Sequence, residues 1–108
     1  MHELGIAASV VDVCAEQAAG ARVLRVRVEV GRLTAVLPDA LRFVFDVCAH
    51  GTALEGAELE IVDIPGRARC EACGQTVALS EPYGLCACGG MLRIVSGEEL
   101  RVKDMEVA

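Results

Sequence analysis

The sequence CEACGQTVALSEPYGLCACGG, residues 70–90, holds two close cysteine pairs separated by twelve residues. Structural zinc takes four tetrahedral ligands, and two short loops that carry two thiolates each can supply them. Gly74 and Gly89 directly follow the pairs, and each permits a left-handed turn that aims backbone N–H groups at the sulfurs. The spacing therefore predicts a structural zinc site formed by Cys70, Cys73, Cys86 and Cys88.

The second cysteine pair departs from the usual C-x-x-C spacing. It has one intervening residue, Ala87, so its turn is expected to be tighter than the first. Unliganded buried cysteine is one alternative for these thiols, and a redox dithiol at Cys70 and Cys73 is another. No thioredoxin-like βαβ pattern surrounds the first pair, which disfavours the dithiol. Residues from about 66 to 98 carry few large apolar side chains. A bound metal is therefore expected to stabilise this segment in place of a hydrophobic core.

Two segments outside the cysteine region have the periodicity of amphipathic helices. The first runs from Leu4 to Ala19 and is expected to stop at Gly20, and the second begins at Pro38 and ends at His50-Gly51. The predicted buried stripes are Leu4, Ala7, Ala8, Val11, Cys14, Ala15 and Ala18, then Leu41, Val44, Phe45 and Cys48. Cys14 and Cys48 are expected to fill the core, and His50 to sit at the helix end.

Three segments are predicted to be strands, at residues 22–31, 57–64 and 99–107. In the first, Leu24, Val26, Val28 and Val30 alternate with charged residues, which indicates one buried face. The acids of the second strand are expected to face Arg25 and Arg27. The pattern predicts an α+β fold, in which a small three-stranded sheet packs with two helices and a four-cysteine, zinc-ribbon-like module is inserted before the third strand.

Composition limits the classes of partner and compartment. The 108 residues carry a net charge of −6, with a pI of about 4.8 and only three aromatic residues, so nucleic acid is not expected as a partner. No secretory leader and no run of eighteen apolar residues is present, so no membrane association is expected and the predicted location is cytoplasmic. In that reducing compartment the six cysteines favour metal binding or burial over disulfides.

The amino terminus offers a second, different metal site. A terminal amine at Met1, a deprotonated backbone amide and the imidazole of His2 can lie in one plane around a metal, and Glu3 can add an oxygen. Planar nitrogen donors suit Ni²⁺ or Cu²⁺. By spacing alone a solvated histidine is the simpler interpretation, because many proteins begin with Met-His.

Several segments together resemble the HypA/HybF family of hydrogenase nickel incorporation proteins, over nearly the whole chain. They are Met1-His2-Glu3-Leu4, Val28-Glu29-Val30-Gly31-Arg32-Leu33, Leu41-Arg42-Phe43-Val44-Phe45, Gly56-Ala57-Glu58-Leu59, Cys70-x-x-Cys73-Gly74, Cys88-Gly89-Gly90, Gly97-Glu98-Glu99-Leu100 and Met105-Glu106-Val107.

The resemblance implies a nickel-binding α+β domain, residues 1–65 and 98–108, and an inserted zinc module, residues 66–97. It implies nickel at Met1, His2 and Glu3, and zinc at Cys70, Cys73, Cys86 and Cys88. The family usually has Cys-Pro-x-Cys at the second knuckle, where this chain has Cys86-Ala87-Cys88.

By the same resemblance the chain is expected to be a nickel metallochaperone and not an enzyme. It would deliver Ni²⁺ to the large subunit of a [NiFe]-hydrogenase, with a nickel-handling maturation GTPase as partner, as a monomer or weak homodimer. A zinc-ribbon adaptor or nucleic-acid-binding module without nickel transfer would need the cysteines but not His2. A thiol enzyme would need a base beside a reactive cysteine, and no histidine lies near the four cysteines in sequence.

Overall fold

The computed structural model of the protein describes the backbone from His2 to Ala108 and the side chains from Glu3 onward. It confirms the predicted α+β fold with a cysteine-bearing insertion before the last strand. The elements in chain order are α1 (His2–Ala18), β1 (Val23–Gly31), a 3-10 turn (Arg32–Thr34), α2 (Pro38–Ala49), β2 (Glu58–Ile64), β3 (Gly66–Cys70), β4 (Thr76–Leu79), β5 (Leu92–Ser96) and β6 (Leu100–Val107).

The described residues form two compact units. The first comprises residues 2–29, 36–62 and 101–108, in which α1 packs against α2. The strand order β2-β1-β6 makes β1 the central strand of one sheet. The second unit comprises residues 30–35 and 63–100, and its sheet has the order β4-β3-β5.

The buried stripe of α1 differs in part from the predicted one. Leu4 is 56% exposed and Ala8 is also exposed, whereas Val10, which was not predicted to be inside, is buried. The buried positions Ala7, Val10, Val11, Cys14 and Ala18 follow three- and four-residue steps, and Ala8 lies at the rim of that stripe.

The predicted alternation of β1 holds from Val26 onward but not at its start. Val23 is buried, and Leu24, which was predicted to face the core, is 45% exposed. Val23 and Val26 both face the core although they are three positions apart, so the alternation shifts by one residue between them. That shift places Leu24 outside.

The outer face of β1 carries a row of ion pairs. Arg25 lies 3.7 Å from Glu60 of β2, as predicted. Arg27 was also expected to face the acids of the second strand, but it pairs with Asp104 of β6, because a central strand shares its side chains between both neighbours. The Arg27 guanidinium holds the pKa of Asp104 below its usual value. The contribution of this pair is therefore present above the ordinary carboxyl pKa and is lost as pH falls through the lowered one.

The second unit positions the cysteines. β3 pairs antiparallel with β4, with Gly66 opposite Leu79, and with β5, with Cys70 opposite Leu92. The segment after β1 joins this unit, since Leu33 donates its N–H to the carbonyl of Gly97 at 2.8 Å. A Cβ built on Gly31 would lie 1.9 Å from the carbonyl oxygen of Gly97, so this close backbone approach requires glycine.

Between His2 and Ala108 no helix is both long and apolar enough to cross a membrane.

Replacing Phe45 by alanine is expected to destabilise the first unit strongly. Phe45 is 1% exposed on α2, and removing a buried phenylalanine costs about 3–5 kcal/mol. Phe43 lies on the same helix but is 72% exposed, so Phe43→Ala should change the free energy of unfolding by no more than about 0.5 kcal/mol. Urea titration followed by helical circular dichroism compares the two variants, and equal midpoints would contradict the assigned core.

Candidate metal centre

The four predicted zinc ligands come together at one end of the β4-β3-β5 sheet. Cys70 is the last residue of β3, and Cys86 follows the isolated bridge between Leu85 and Met91. The Sγ atoms of Cys70 and Cys88 are 3.5 Å apart, and those of Cys73 and Cys86 are 3.7 Å apart. All four sulfurs lie within 4.8 Å of one another.

These separations fit a tetrahedral tetrathiolate site. With zinc–sulfur bonds of about 2.3 Å, the sulfurs of a regular tetrahedron are about 3.8 Å apart. Cys70 and Cys86 are buried, whereas Cys73 and Cys88 are exposed. The donor set therefore has the number, spacing and softness that zinc prefers in structural sites.

The turn that carries Cys86 and Cys88 is tighter than the turn that carries Cys70 and Cys73, as the sequence predicted. The carbonyl of Cys70 accepts a hydrogen bond from the N–H of Gly74, four residues on, at 2.9 Å. The carbonyl of Cys86 accepts one from the N–H of Gly89, three residues on, at 2.8 Å. Gly74 and Gly89 have φ angles of 75° and 87°, so both adopt the left-handed conformation expected after each pair.

Backbone N–H groups stabilise negative charge on the sulfurs. The N–H groups of Cys73 and Ala72 both lie 3.4 Å from Cys70 Sγ. The N–H of Cys73 first, then that of Ala72 and the neighbouring thiols, lower the pKa of Cys70 to about 6, although burial raises it.

The crowded sulfurs cannot all be thiolates by themselves. The N–H of Gly90 acts to lower the pKa of Cys88, but the thiols of Cys70, Cys86 and Cys73 and burial outweigh it and raise that pKa to about 12. A cation among the four sulfurs removes this mutual repulsion, which is a further reason that the cluster fits a metal ion.

Gly90 leaves space for the sulfurs. A Cβ at this position would lie 2.7 Å from Cys70 Sγ and 2.7 Å from the Cβ of Ala72. No side chain can occupy that space without displacing the sulfur of Cys70 or the turn that carries Ala72. The spacing of the cysteines does not indicate this role for Gly90, because the contact with Cys70 spans twenty positions of the sequence.

Gly90→Ala is therefore expected to weaken the metal site. Overpacking of a tight site costs about 1–3 kcal/mol. This cost corresponds to a loss of metal affinity of roughly 5- to 150-fold, so a chelator should remove more of the metal. Gly5 is the matched control, since a Cβ there meets nothing within 4 Å. Zinc release to a chromophoric chelator measures both variants. Equal retention in Gly90→Ala and Gly5→Ala would contradict the steric role of Gly90.

The predicted amino-terminal site is described only in part. Met1 lies outside the described residues, and His2 is the first residue of α1. The carboxylate of Glu3 is half-buried and accepts a hydrogen bond from the N–H of Leu37 at 3.0 Å, directly before α2 begins. Glu3 thus ties the first turn of α1 to the start of α2, a contact that the sequence pattern did not reveal.

The other cysteines and histidine lie outside the cluster. Cys14 is buried, as predicted, and burial raises its pKa. Cys48 is only half-buried on α2. His50 follows α2 as predicted, and its Nδ1 lies 3.3 Å from Glu55 Oε2. Among the described residues only the four clustered cysteines form a group of metal-ligand atoms.

Comparison with known proteins identifies the family of the chain. A family model described as hydrogenase/urease nickel incorporation, metallochaperone, hypA matches residues 1–107. A protein named hydrogenase maturation factor HypA from Trichormus variabilis is 52% identical over 108 residues, covering 99% of this chain and 96% of the relative. A protein of the same name from Geobacter metallireducens is 49% identical over 109 residues, covering 99% of each.

Solved structures share the fold. The solution structure of a HypA protein superposes with a TM-score of 0.74 and 24% identity, covering 100% of this chain and 97% of the other. The solution structure of the Ni metallochaperone HypA from Helicobacter pylori gives a TM-score of 0.69 and 23% identity, with coverages of 97% and 96%. With a family match over residues 1–107 and relatives about half identical along the whole chain, this protein belongs to the HypA family of nickel incorporation metallochaperones.

Proposed function

We propose that this protein captures Ni²⁺ at its amino terminus and delivers it to the large subunit of a [NiFe]-hydrogenase during maturation. The observation that carries the proposal is the family match, which extends over residues 1–107 and so includes both the Met-His-Glu start and the cysteine module. A nickel-handling maturation GTPase is the proposed second partner, and the cytoplasm the proposed location.

The proposed nickel ligands are Met1, His2 and Glu3. His2 opens α1, and the first N–H groups of a helix have no partner within it. The amide of His2 is therefore not committed to the helix ladder and is available to a metal together with the imidazole. A site at the end of the chain also suits transfer, because a partner's donors can replace the nickel ligands one at a time.

The proposed role of Cys70, Cys73, Cys86 and Cys88 is to hold a resident structural Zn²⁺. The sulfur separations of 3.5 Å and 3.7 Å and the N–H groups directed at Cys70 support this assignment. A tetrathiolate site leaves no open coordination position, so zinc would stabilise the module and supply no chemistry. Residues 66–97 would then be the zinc module, and residues 1–65 with 98–108 the nickel domain.

Capture and transfer require no catalytic side chain, so the proposal makes the protein a carrier and not an enzyme. The proposed transfer is a ligand exchange in which the partner's donors replace the nickel ligands, and the amide, the amine and the imidazole take up protons again as nickel leaves. The acidic net charge of −6 suits the attraction of a divalent cation and disfavours nucleic acid.

Extending the chain by Gly-Ser before Met1 tests the proposal. The extension displaces the terminal amine while every side chain remains, so nickel delivery should fail although zinc content stays normal. The measurement is hydrogenase activity, with nickel in the isolated large subunit, in cells that lack their own HypA-type protein.

The unextended protein is expected to restore both quantities, and the extended protein neither. Full maturation of the hydrogenase by the extended protein would contradict the proposed amino-terminal nickel site. It would favour a zinc-ribbon adaptor, which does not need a free amino terminus.

A further inference from the structure

The β4-β3-β5 sheet of the cysteine module has a covered face and an uncovered face. Gly66 and Cys70, at the two ends of β3, are buried on the first face. A Cβ built on Gly66 would lie 2.9 Å from the side chain of Leu33, so Leu33 packs on that face. Arg67 and Arg69 alternate with the buried residues of β3 and are exposed, so they lie on the other face.

The uncovered face carries two directly opposed arginines. Antiparallel pairing places Arg69 of β3 opposite Arg93 of β5. Like charges in such a position destabilise a sheet. Arg93 has an acidic neighbour, Glu71, at 3.6 Å. Within residues 3–108 neither Arg67 nor Arg69 has an acidic group at ion-pair distance. This face is therefore positive, although the whole chain has a net charge of −6.

Large apolar side chains border the arginines. Met91 and Val95 lie two positions before and after Arg93, so all three side chains are on the same side of β5. Leu85 lies opposite Met91 in the isolated bridge. The exposed fractions of Leu85, Met91 and Val95 are 73%, 70% and 56%. We call this mixed basic and apolar surface the arginine face, and its residues are Arg67, Arg69, Leu85, Met91, Arg93 and Val95.

The arginine face includes a cleft at its centre. The cleft has a volume of about 620 Å³ and is lined by Arg69, Arg93 and residues 70–74. Two guanidinium groups at the walls of a cleft can hold a carboxylate through charge-assisted hydrogen bonds. Arginine and methionine are also enriched in the buried centres of protein interfaces. The face thus has the composition and charge of a surface that binds an acidic protein segment.

We propose that the arginine face binds an acidic amphipathic helix of a partner protein. The carboxylates of that helix pair with Arg67 and Arg69, and its apolar stripe covers Met91 and Val95. β3 and β5 are neighbouring strands about 4.8 Å apart, and a helix about 10 Å across covers both rows of side chains. An extended segment is one side chain wide and would cover only one row. Nucleic acid would leave the apolar residues uncovered, and the acidic chain repels it.

This interaction requires no nickel, so it goes beyond the proposed function and can be measured without the metal. The probe is a fluorescent peptide of about sixteen residues, with leucine and glutamate at the spacing of an amphipathic helix. Fluorescence anisotropy measures its binding to the zinc-loaded, nickel-free full chain. The wild-type protein should bind this peptide, more weakly as the salt concentration rises from roughly 0.05 to 0.5 M.

Single substitutions locate the binding surface. Arg69→Glu places a like charge against the glutamates of the peptide and should weaken binding at least about tenfold. Met91→Gln keeps the size of an exposed side chain but removes apolar contact, so it should weaken binding at least about threefold. Lys103→Glu is the matched control, because it makes the same change of charge at an exposed residue of β6, outside the cysteine module. Lys103→Glu should bind the peptide as the wild-type protein does.

A charge swap keeps the test independent of stability. The double variant Arg67→Glu, Arg69→Glu should lose the glutamate peptide and bind a peptide in which lysine replaces every glutamate. Such a gain of binding cannot result from unfolding, and zinc content with circular dichroism establishes that each variant is folded. Absence of wild-type binding up to about 1 mM peptide would overturn the proposal. Equal weakening by Lys103→Glu and Arg69→Glu, or equally tight binding of a single-stranded oligonucleotide of the same charge, would also overturn it.

Discussion

Cys73→Ser should release zinc and unfold the cysteine module while most of the helical signal remains. Zinc binding in small zinc-finger peptides is worth about 10–16 kcal/mol near neutral pH, which is similar in size to the whole stability of an ordinary domain, about 5–15 kcal/mol. From Asp63 to Leu100 the buried apolar side chains are only Ala68, Cys70 and Cys86, and two of these are themselves proposed ligands. Without metal that stretch has too little buried surface to remain folded.

Three measurements separate loss of zinc from general unfolding. Zinc per chain should fall from one to near zero, protease cleavage should appear within residues 66–97, and circular dichroism should keep most of the signal of α1 and α2. Cys48→Ser is the matched control, because Cys48 is half-buried on α2, outside the cluster. If Cys73→Ser kept stoichiometric zinc and native protease resistance, Cys73 would not be a ligand.

The helices and the first sheet were predictable because their patterns are strong and local. The predicted strand at residues 22–31 became Val23–Gly31, and the helix expected to begin at Pro38 begins there. In both segments the apolar side chains recur at the period of the element, and glycine or proline marks the ends. Of the misplaced residues, Leu4 and Leu24 lie at element ends, where packing and not periodicity decides which side is covered. Ala8 and Val10 lie inside α1 at the borders of its buried stripe, where the sequence period alone does not decide which residue is covered.

The strands of the cysteine module could not be predicted individually. β3, β4 and β5 are four or five residues long, and large apolar residues nearby such as Leu85 and Met91 are about 70% exposed. The inward-facing residues of β3 are Gly66, Ala68 and Cys70, which are buried between exposed arginines but are too small to give a strong apolar pattern in the sequence. The module as a whole was predicted from the spacing of the four cysteines, because two close pairs can supply the four tetrahedral ligands of one zinc ion.

The cysteine site could be predicted from residue spacing alone, whereas the amino-terminal site could not. The four thiols follow from cysteine spacing, and their sulfurs lie within 4.8 Å of one another. The amino-terminal site was indicated mainly by resemblance, because Met1-His2 carries little information by spacing. The bond between Glu3 and Leu37 joins residues 34 positions apart, and no local pattern encodes such a contact.

His2→Ala should abolish nickel binding at the amino terminus and leave folding and zinc unchanged. The change removes the imidazole donor, and nickel holds imidazole nitrogen well. Loss of a residue that merely orients a ligand costs about 10- to 100-fold in metal affinity, so loss of the ligand itself should exceed about 100-fold. Nickel titration by calorimetry, with the zinc site already filled, measures the change.

His50→Ala provides the matched control, because the sequence contains only two histidines. His50 is 83% exposed, contacts Glu55 and is not among the clustered ligand residues, so its removal should alter neither zinc content nor nickel affinity. A third protein, extended before Met1 with His2 intact, separates the imidazole from the terminal amine: both changes should weaken nickel if the two groups bind one ion. Unaltered nickel affinity in His2→Ala, together with a loss in His50→Ala, would move the site to the end of α2 and leave the amino terminus without a role in capture.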